Sequence, residues 1–263
     1  MTLQGHCADQ KAPVFRDLPD DLVAVLPIGA IEQHGPHLPV SVDRDLAAEV
    51  SARSLGCLSA TQNVLVLPVL AITKSGEHDR HPGTLSLSAE TLLATLRDIG
   101  ASVARAGVGR LVLLNGHGGN TAVLDIVARD LRIAHGMTVA VCSWFGFAET
   151  DDMIPAEAMA VDLHAGDIET SAMLAARGDL VDMDKAKNFV PEIRKWQQSN
   201  RFTGLTGEPA RPGWIIDDLN DDGACGDASA ATVEKGEQLL ASAAAHFALF
   251  LDEFSRFSLK GGA

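Results

Sequence analysis

Five residues of this chain, Glu32, His34, Asp43, His117 and Glu169, offer two imidazoles and three carboxylates. That donor mixture suits zinc, manganese and iron. Glu32 and His34 stand two apart, so in an extended segment both side chains point the same way and form half of a divalent metal site. Asp43 falls at the start of a predicted helix and can add a carboxylate. One metal takes about three or four protein ligands and leaves a position for water. Five ligands serve two metals if one carboxylate bridges, and Asp43, short and set on a helix start, is the expected bridge. Two metals together activate a water and polarise a carbonyl. Read singly, the first stretch is equally a polar turn with Asp43 as a helix cap, and Glu169 is what any helix N-terminus favours.

Each ligand candidate lies in a stretch of its own. Gly29 to Pro39 holds Glu32 and His34, with Gly35-Pro36 and Leu38-Pro39 rigidifying the loop. Asn115-Gly116-His117-Gly118-Gly119-Asn120 lets the backbone turn tightly and approach a ligand closely. A phosphate cradle is the competing reading there, but no Lys-Ser/Thr pair follows and the glycine spacing does not match a dinucleotide fingerprint. Asp162-Leu163-His164 precedes the helix that carries Glu169. Ser75 to Thr84 is rich in titratable groups, among them Glu77 and His78, and is either a solvated loop or a wall facing the substrate. Nucleophilic catalysis finds no support: there is no G-x-S-x-G elbow, and no cysteine lies in the histidine-rich windows.

Apolar runs at residues 23–29, 64–72, 110–115 and 137–145 read as four strands. Their solid apolar character suits strands covered on both faces. Pro68 marks an edge, a bulge or a strand end. Helical patterns fall at residues 45–56, 88–106, 120–135, 168–177 and 229–257. Val233, Leu240, Phe247 and Phe254, seven apart, make a seam for core packing or, alternatively, for a subunit contact. Strand–helix alternation implies an α/β fold: three layers, a mostly parallel sheet with helices on both faces. In such sheets ligands bind beyond the carboxyl ends of the strands, and all four motifs leave those ends. Residues 179–228 break the rhythm with Gly, Pro, Asp and Asn around Trp196 and Trp214. They are expected to be a loop-rich excursion from a single domain spanning residues 1–263.

The balance of 21 basic against 35 acidic residues, a net charge of −14, argues against nucleic acid and anionic membrane partners. Aromatic residues are 5% with no tyrosine, so stacking platforms for single strands are missing as well. No apolar run reaches transmembrane length and the start has no secretory pattern, so a cytoplasmic protein is expected. Four scattered cysteines without C-x-x-C spacing speak against disulfides or structural zinc.

The stretches PIGAIEQHGPHLPVSVD (27–43), SGEHDRHPGTLSLSAETL (75–92), LVLLNGHGGN (111–120) and DLHAGDIETS (162–171) resemble, in order, the motifs of the creatininase (creatinine amidohydrolase) family. The resemblance covers residues 20–178, with a weaker echo at residues 226–240. It implies a divalent metal pair held by Glu32, His34, Asp43 and His117, with Glu169 completing the second site. It implies His164 as the catalytic histidine and a homo-oligomer, a hexamer being favoured. Glu77, His78 and Trp144 are candidates for touching substrate or supporting the ligands. The implied reaction is hydrolysis of a C–N bond in a cyclic or related small amide. Alternatives on the same fold are a peptidase or formamide hydrolase of cofactor biosynthesis, or a non-catalytic metal-binding ligand sensor. The chain departs from creatininases proper at three places. Gly119 stands where they carry a glutamate ligand, no tryptophan precedes His164, and His81 replaces a phenylalanine common before Pro-Gly-Thr.

Overall fold

The computed structural model describes residues 2–151, 153–205 and 207–259. In chain order its regular elements are β1 (Gln4–His6), β2 (Val23–Ile28), α1 (Val42–Leu55), β3 (Val64–Val66), α2 (Ala89–Arg105), β4 (Arg110–Asn115), α3 (Thr121–His135), β5 (Thr138–Ser143), α4 (Ala156–Met159), α5 (Asp167–Arg177), β6 (Asn188–Phe189), α6 (Ile193–Ser199), β7 (Gly226–Asp227) and α7 (Val233–Arg256). The main sheet runs β1-β3-β2-β4-β5, and every pair in it is parallel.

Alternate residues of the strands feed two apolar layers. Val23, Val25, Val64, Val66, Val112 and Leu114 face one side, where α1, α5 and α7 cover them with Leu46, Val50, Ile168, Met173, Leu240 and Phe247. Leu22, Ala24, Leu26, Leu111 and Leu113 face the other, under Leu92 and Leu96 of α2 and Leu124 and Val127 of α3. Each fully buried Leu, Val or Phe adds ~1.5–3 kcal/mol, which explains why these strands read as unbroken apolar runs. The expected three-layer α/β architecture is the one observed. On α7, Leu240, Phe247 and Phe254 pack into the core, while Val233 is exposed. No helix among the described residues is long and apolar enough to cross a membrane.

The boundaries moved where local chemistry intervened. β3 stops at Val66 rather than residue 72. Pro68 has no N–H for a ladder, yet the chain stays beside β2 through Leu67 and Leu70, whose amides donate to the carbonyls of Val25 and Pro27. β1, a polar tripeptide, adds a fifth strand at the edge that its composition does not announce. Helix α1 begins at Val42, three residues earlier than expected, which puts Asp43 inside its first turn. α7 begins at Val233, where the Thr232 side chain accepts the Lys235 amide as a cap.

Residues 179–228 contain structure of their own: α6 and the antiparallel ribbon of β6 and β7. Ile216, Leu219 and Cys225 form a small apolar knot with Trp196, Leu205 and Trp214. Several ties bring this excursion to the carboxyl edge of the main sheet, among them the Asp182 amide on the His37 carbonyl and Phe189 stacked on His37. Cys225 pairs with His164 in an antiparallel bridge, and Asp217 takes His81 Nε2 at 2.7 Å and Arg80 at 3.5 Å.

Candidate metal centre

Four chain segments converge beyond the carboxyl ends of β2, β4 and the β3 extension. Gly29 ends β2 and Gly116 ends β4. A Cβ on either would overlap the backbone of Asp43 or Arg44, so both glycines are needed for α1 to bring its first turn against the strand ends. Asp43 thereby lies buried at a helix N-terminus, where the dipole favours a negative charge. Extended backbone after β2 aims Glu32 and His34 into the same space. His117 comes from the turn after β4, which Asn115 braces by accepting the His117 amide and donating to the His117 carbonyl. Glu169 comes from the first turn of α5.

The five ligand candidates assemble as two groups that share Asp43. In one, His117 Nδ1 lies 3.2 Å from Glu32 Oε2 and 3.2 Å from Asp43 Oδ2. In the other, His34 Nε2 lies 3.3 Å from Asp43 Oδ1 and 3.7 Å from Glu169 Oε2. The two oxygens of Asp43 thus face different histidines. Glu32 Oε1, His34 Nε2 and Asp43 Oδ2 are buried with no hydrogen-bond partner among the described residues. Buried polar atoms without partners are costly and mark places where an ion is to be bound. The donor set and these orphaned atoms fit divalent cations.

The electrostatics without a cation are those of a proton-filled cage. Burial disfavours the charge on His34, but Asp43, Glu169 and Glu32 outweigh it and raise its pKa to about 9. Burial likewise works against the charge on His117, which the carboxylates of Glu32 and Asp43 nevertheless hold well above its usual value. Glu32 is buried too, yet His117 holds its carboxyl down to about 2. Asp43 is held well below the usual carboxylate range by the two histidines, against its burial. Glu169 goes the other way: burial, with Asp43 and Glu32 nearby, raises it to about 7.

His164 closes the third group, with Glu32 and His34. Its ring lies 4.1 Å from that of His34 and 4.4 Å from that of His78, centroid to centroid. His164 Nε2 is 2.9 Å from the Gln33 carbonyl, which can only accept, so Nε2 carries the proton and Nδ1 faces Glu32 Oε1 at 3.7 Å. Burial, and then the charge of His34, push its pKa well below the usual value, so His164 rests neutral. The next residue, Ala165, has φ 54°, a left-handed conformation uncommon outside glycine. Its amide donates to Glu169 Oε2 at 2.6 Å.

Glu77 and His78 fall where the sequence expects them, beside the ligands. His78 Nδ1 accepts the Gln33 side-chain amide at 2.8 Å and its Nε2 is 3.6 Å from Glu32 Oε1. Glu77 ion-pairs with Lys74 and lies 3.5 Å from His117 Nε2. Trp144 does not reach the centre. The chain turns after β5 ends at Ser143, and the indole is buried in the core layer of α1, α5 and α7, edge-on to Phe145. The indole that does approach is Trp214 of the excursion, edge-on to His78 at 6.4 Å. Sequence reasoning missed Trp214, Gln33 and Ser75, whose hydroxyl donates to Glu32. The position of Gln33, a polar residue between two ligands of one motif, was the available signal. Nothing local marks Trp214, since only the folded excursion brings it near.

The chain is similar to several known proteins. The family model for creatininase, described as creatinine amidohydrolase, matches residues 8–251. The creatinine amidohydrolase of Pseudomonas putida is 38% identical over 65% of this chain and 70% of its own. A mycofactocin precursor peptide peptidase of Mycobacterium tuberculosis is 31% identical over 83% of this chain and 80% of its own. A creatininase variant complexed with creatine superposes with a TM-score of 0.76 at 28% identity, covering 97% of this chain and 100% of that one. Solved creatininases of Zn–Zn and Mn type superpose with TM-scores of 0.68 and 0.70, at 31% and 30% identity and over 89% of this chain and 91% of each. With the family model spanning nearly the whole chain and the motif residues gathered at one sheet edge, this protein belongs to the creatininase family.

Proposed function

We propose that this protein hydrolyses the C–N bond of a small amide at a pair of divalent cations. One cation is held by Glu32, Asp43 and His117, the other by His34, Asp43 and Glu169. The observation that carries this reading is the division of Asp43 between two histidines, with orphaned buried atoms on both sides of it. Bound cations supply Lewis acidity, lowering the pKa of water towards neutrality and polarising a carbonyl.

The chain's own groups handle the proton. His164 rests neutral, with Nε2–H fixed on the Gln33 carbonyl and the Nδ1 lone pair turned to the centre. Nδ1 therefore takes up a proton as the nucleophile is formed. It then passes that proton to the amide nitrogen as the C–N bond breaks. Burial keeps His78 neutral as well, despite the pull of Glu32. With its Nδ1 accepting from Gln33, its N–H turns to Glu32 Oε1 and steadies that ligand. Trp214 of the excursion stands edge-on to His78 and would border whatever binds there.

A creatinine-like cyclic amide is the first substrate to test, given the Pseudomonas putida relative. A peptide or formamide is the second, given that the peptidase match spans more of this chain. Zinc, manganese and iron all suit the ligands, and a homo-oligomer is expected from the family resemblance. The test is elemental analysis of protein purified without added metal, beside Asp43→Ala, followed by a panel of creatinine, N-formyl amines and short peptides. Two equivalents per chain that fall sharply in the variant, with chelator-sensitive turnover of one amide, are expected. A wild type that refuses zinc, manganese and iron overturns the reading.

A further inference from the structure

The two nitrogens of His117 face different worlds. Nδ1 meets Glu32 and Asp43, both at 3.2 Å. Nε2 lies 3.0 Å from the Lys74 carbonyl and 3.5 Å from Glu77 Oε1. A carbonyl oxygen only accepts, so Nε2 holds its proton in either charge state and Nδ1 is the nitrogen that would give its proton up to a cation. Lys74 contributes twice, since its carbonyl fixes the ring and its ammonium anchors Glu77. The Glu77 carboxylate sits in the space beside residue 119. A Cβ on Gly119 would overlap both Glu77 Oε1 and His117 Nε2. Position 119 and the Glu77 carboxylate therefore compete for one volume. His34 is oriented separately, its Nδ1 donating to the Glu32 carbonyl at 3.1 Å.

We propose that Glu77 is a positioning residue for His117, admitted by the missing side chain at Gly119, and that it governs one of the two cation sites and not the other. This rests on the binuclear reading above and deepens it. A carboxylate behind a ligating histidine fixes the ring and raises its basicity, and losing such a partner weakens metal binding by about 10–100-fold. The effect belongs to the Glu32–Asp43–His117 site. The His34–Asp43–Glu169 site keeps its own support.

The test is competition titration of zinc against a chromophoric chelator, with no substrate present, on the wild type, Glu77→Gln, Glu77→Asp, Gly119→Ala, Glu77→Ala and the Glu77→Ala/Gly119→Ala double variant. Glu77→Gln should weaken one of two equivalents by about 10–100-fold and leave the other unchanged. Glu77→Asp should recover part of the loss. Gly119→Ala should weaken the same equivalent, because its Cβ meets both the carboxylate and the His117 ring; in the Glu77→Ala background only the ring contact remains, so it should cost less than in the wild type. Thermal unfolding of the metal-free proteins should show the same non-additivity, because both substitutions act on one volume. Equal affinities in wild type and Glu77→Gln overturn the inference, as do additive losses from the two positions. A wild type that binds no zinc overturns the binuclear reading itself, so the two failures are distinct.

Discussion

Raising the pH of the metal-free protein from 6.5 to 9 should weaken its fold and strengthen its grip on a cation. His34 carries both effects. Its pKa is about 9 in the folded chain against an ordinary 6.5. A raised histidine contributes stability that is fully present below the unfolded pKa and is lost as pH climbs through the folded one. The difference of 2.5 units corresponds to roughly 3 kcal/mol removed between pH 6.5 and 9. His117, also raised, adds to the loss in the same direction. Glu169, raised to about 7 from 4.5, has already given up its share by the lower part of that window. A cation must displace the His34 proton. With a pKa of about 9, roughly one molecule in a hundred has that nitrogen free at pH 7. Apparent affinity at this site should therefore rise about tenfold per pH unit until pH 9. Urea unfolding of chelator-treated protein measures the first arm. Calorimetric titration of zinc in buffers of different protonation enthalpy counts the protons released and measures the second. Flat stability across this range, together with no proton release at pH 7, would refute the account of a cage filled by protons.

Three further outcomes are expected. His164→Ala should keep its metal, by elemental analysis, while turnover of the amide found in the panel falls by about 10²–10⁴-fold; wild-type turnover in this variant removes the role given to Nδ1. Gly116→Ala drives a methyl group into the Asp43 carbonyl, so it should lower stability by about 1–3 kcal/mol and loosen both cations, read by urea unfolding and metal titration. Asp217→Asn weakens the tie to His81 and Arg80, so hydrogen exchange should quicken in residues 207–222 and not in α1 or α5; unchanged exchange would show that this tie does not hold the segment.

The fold and the gathering of the ligand candidates were legible because they rest on local chemistry. Strands β2 and β4 are buried on both faces and read as unbroken apolar runs, and α3 ends at Gly136 in the left-handed conformation its glycine predicts. Glu32, His34, Asp43 and His117 sit in short stretches tied to strand ends, so predicting the strands also predicts where those residues go. Glu169 needed the resemblance, since its position at a helix start has an ordinary explanation. What failed to read depends on distance along the chain. Strand β1 is polar and exists because β3 offers it an edge. Trp144 lies close in sequence to the fourth motif, but the turn after β5 folds it into the core. Trp214 lies 136 residues beyond His78 and meets it only through the excursion.

The way the excursion is fastened has a consequence for how such a protein can change its diet. The ligand candidates stand on strand ends and on the first turns of α1 and α5, where a methyl group at Gly29 or Gly116 would disturb the backbone. The excursion is anchored by Phe189, Ala224 and Ala228 in the main core, by the Asp182 amide on the His37 carbonyl and by the bridge at Cys225, while its outer part around Trp214 closes on its own six-residue apolar knot and is tied by Asp217. Trp214 is only partly buried and supplies none of the ligands. The part around Trp214 is therefore less tied to the core than the ligand candidates are. Substitution at Trp214 would change what lies against His78 without touching those candidates. Under the proposed function, that division would let selection alter what is accepted beside His78 while the ligand candidates stay where the strand ends put them.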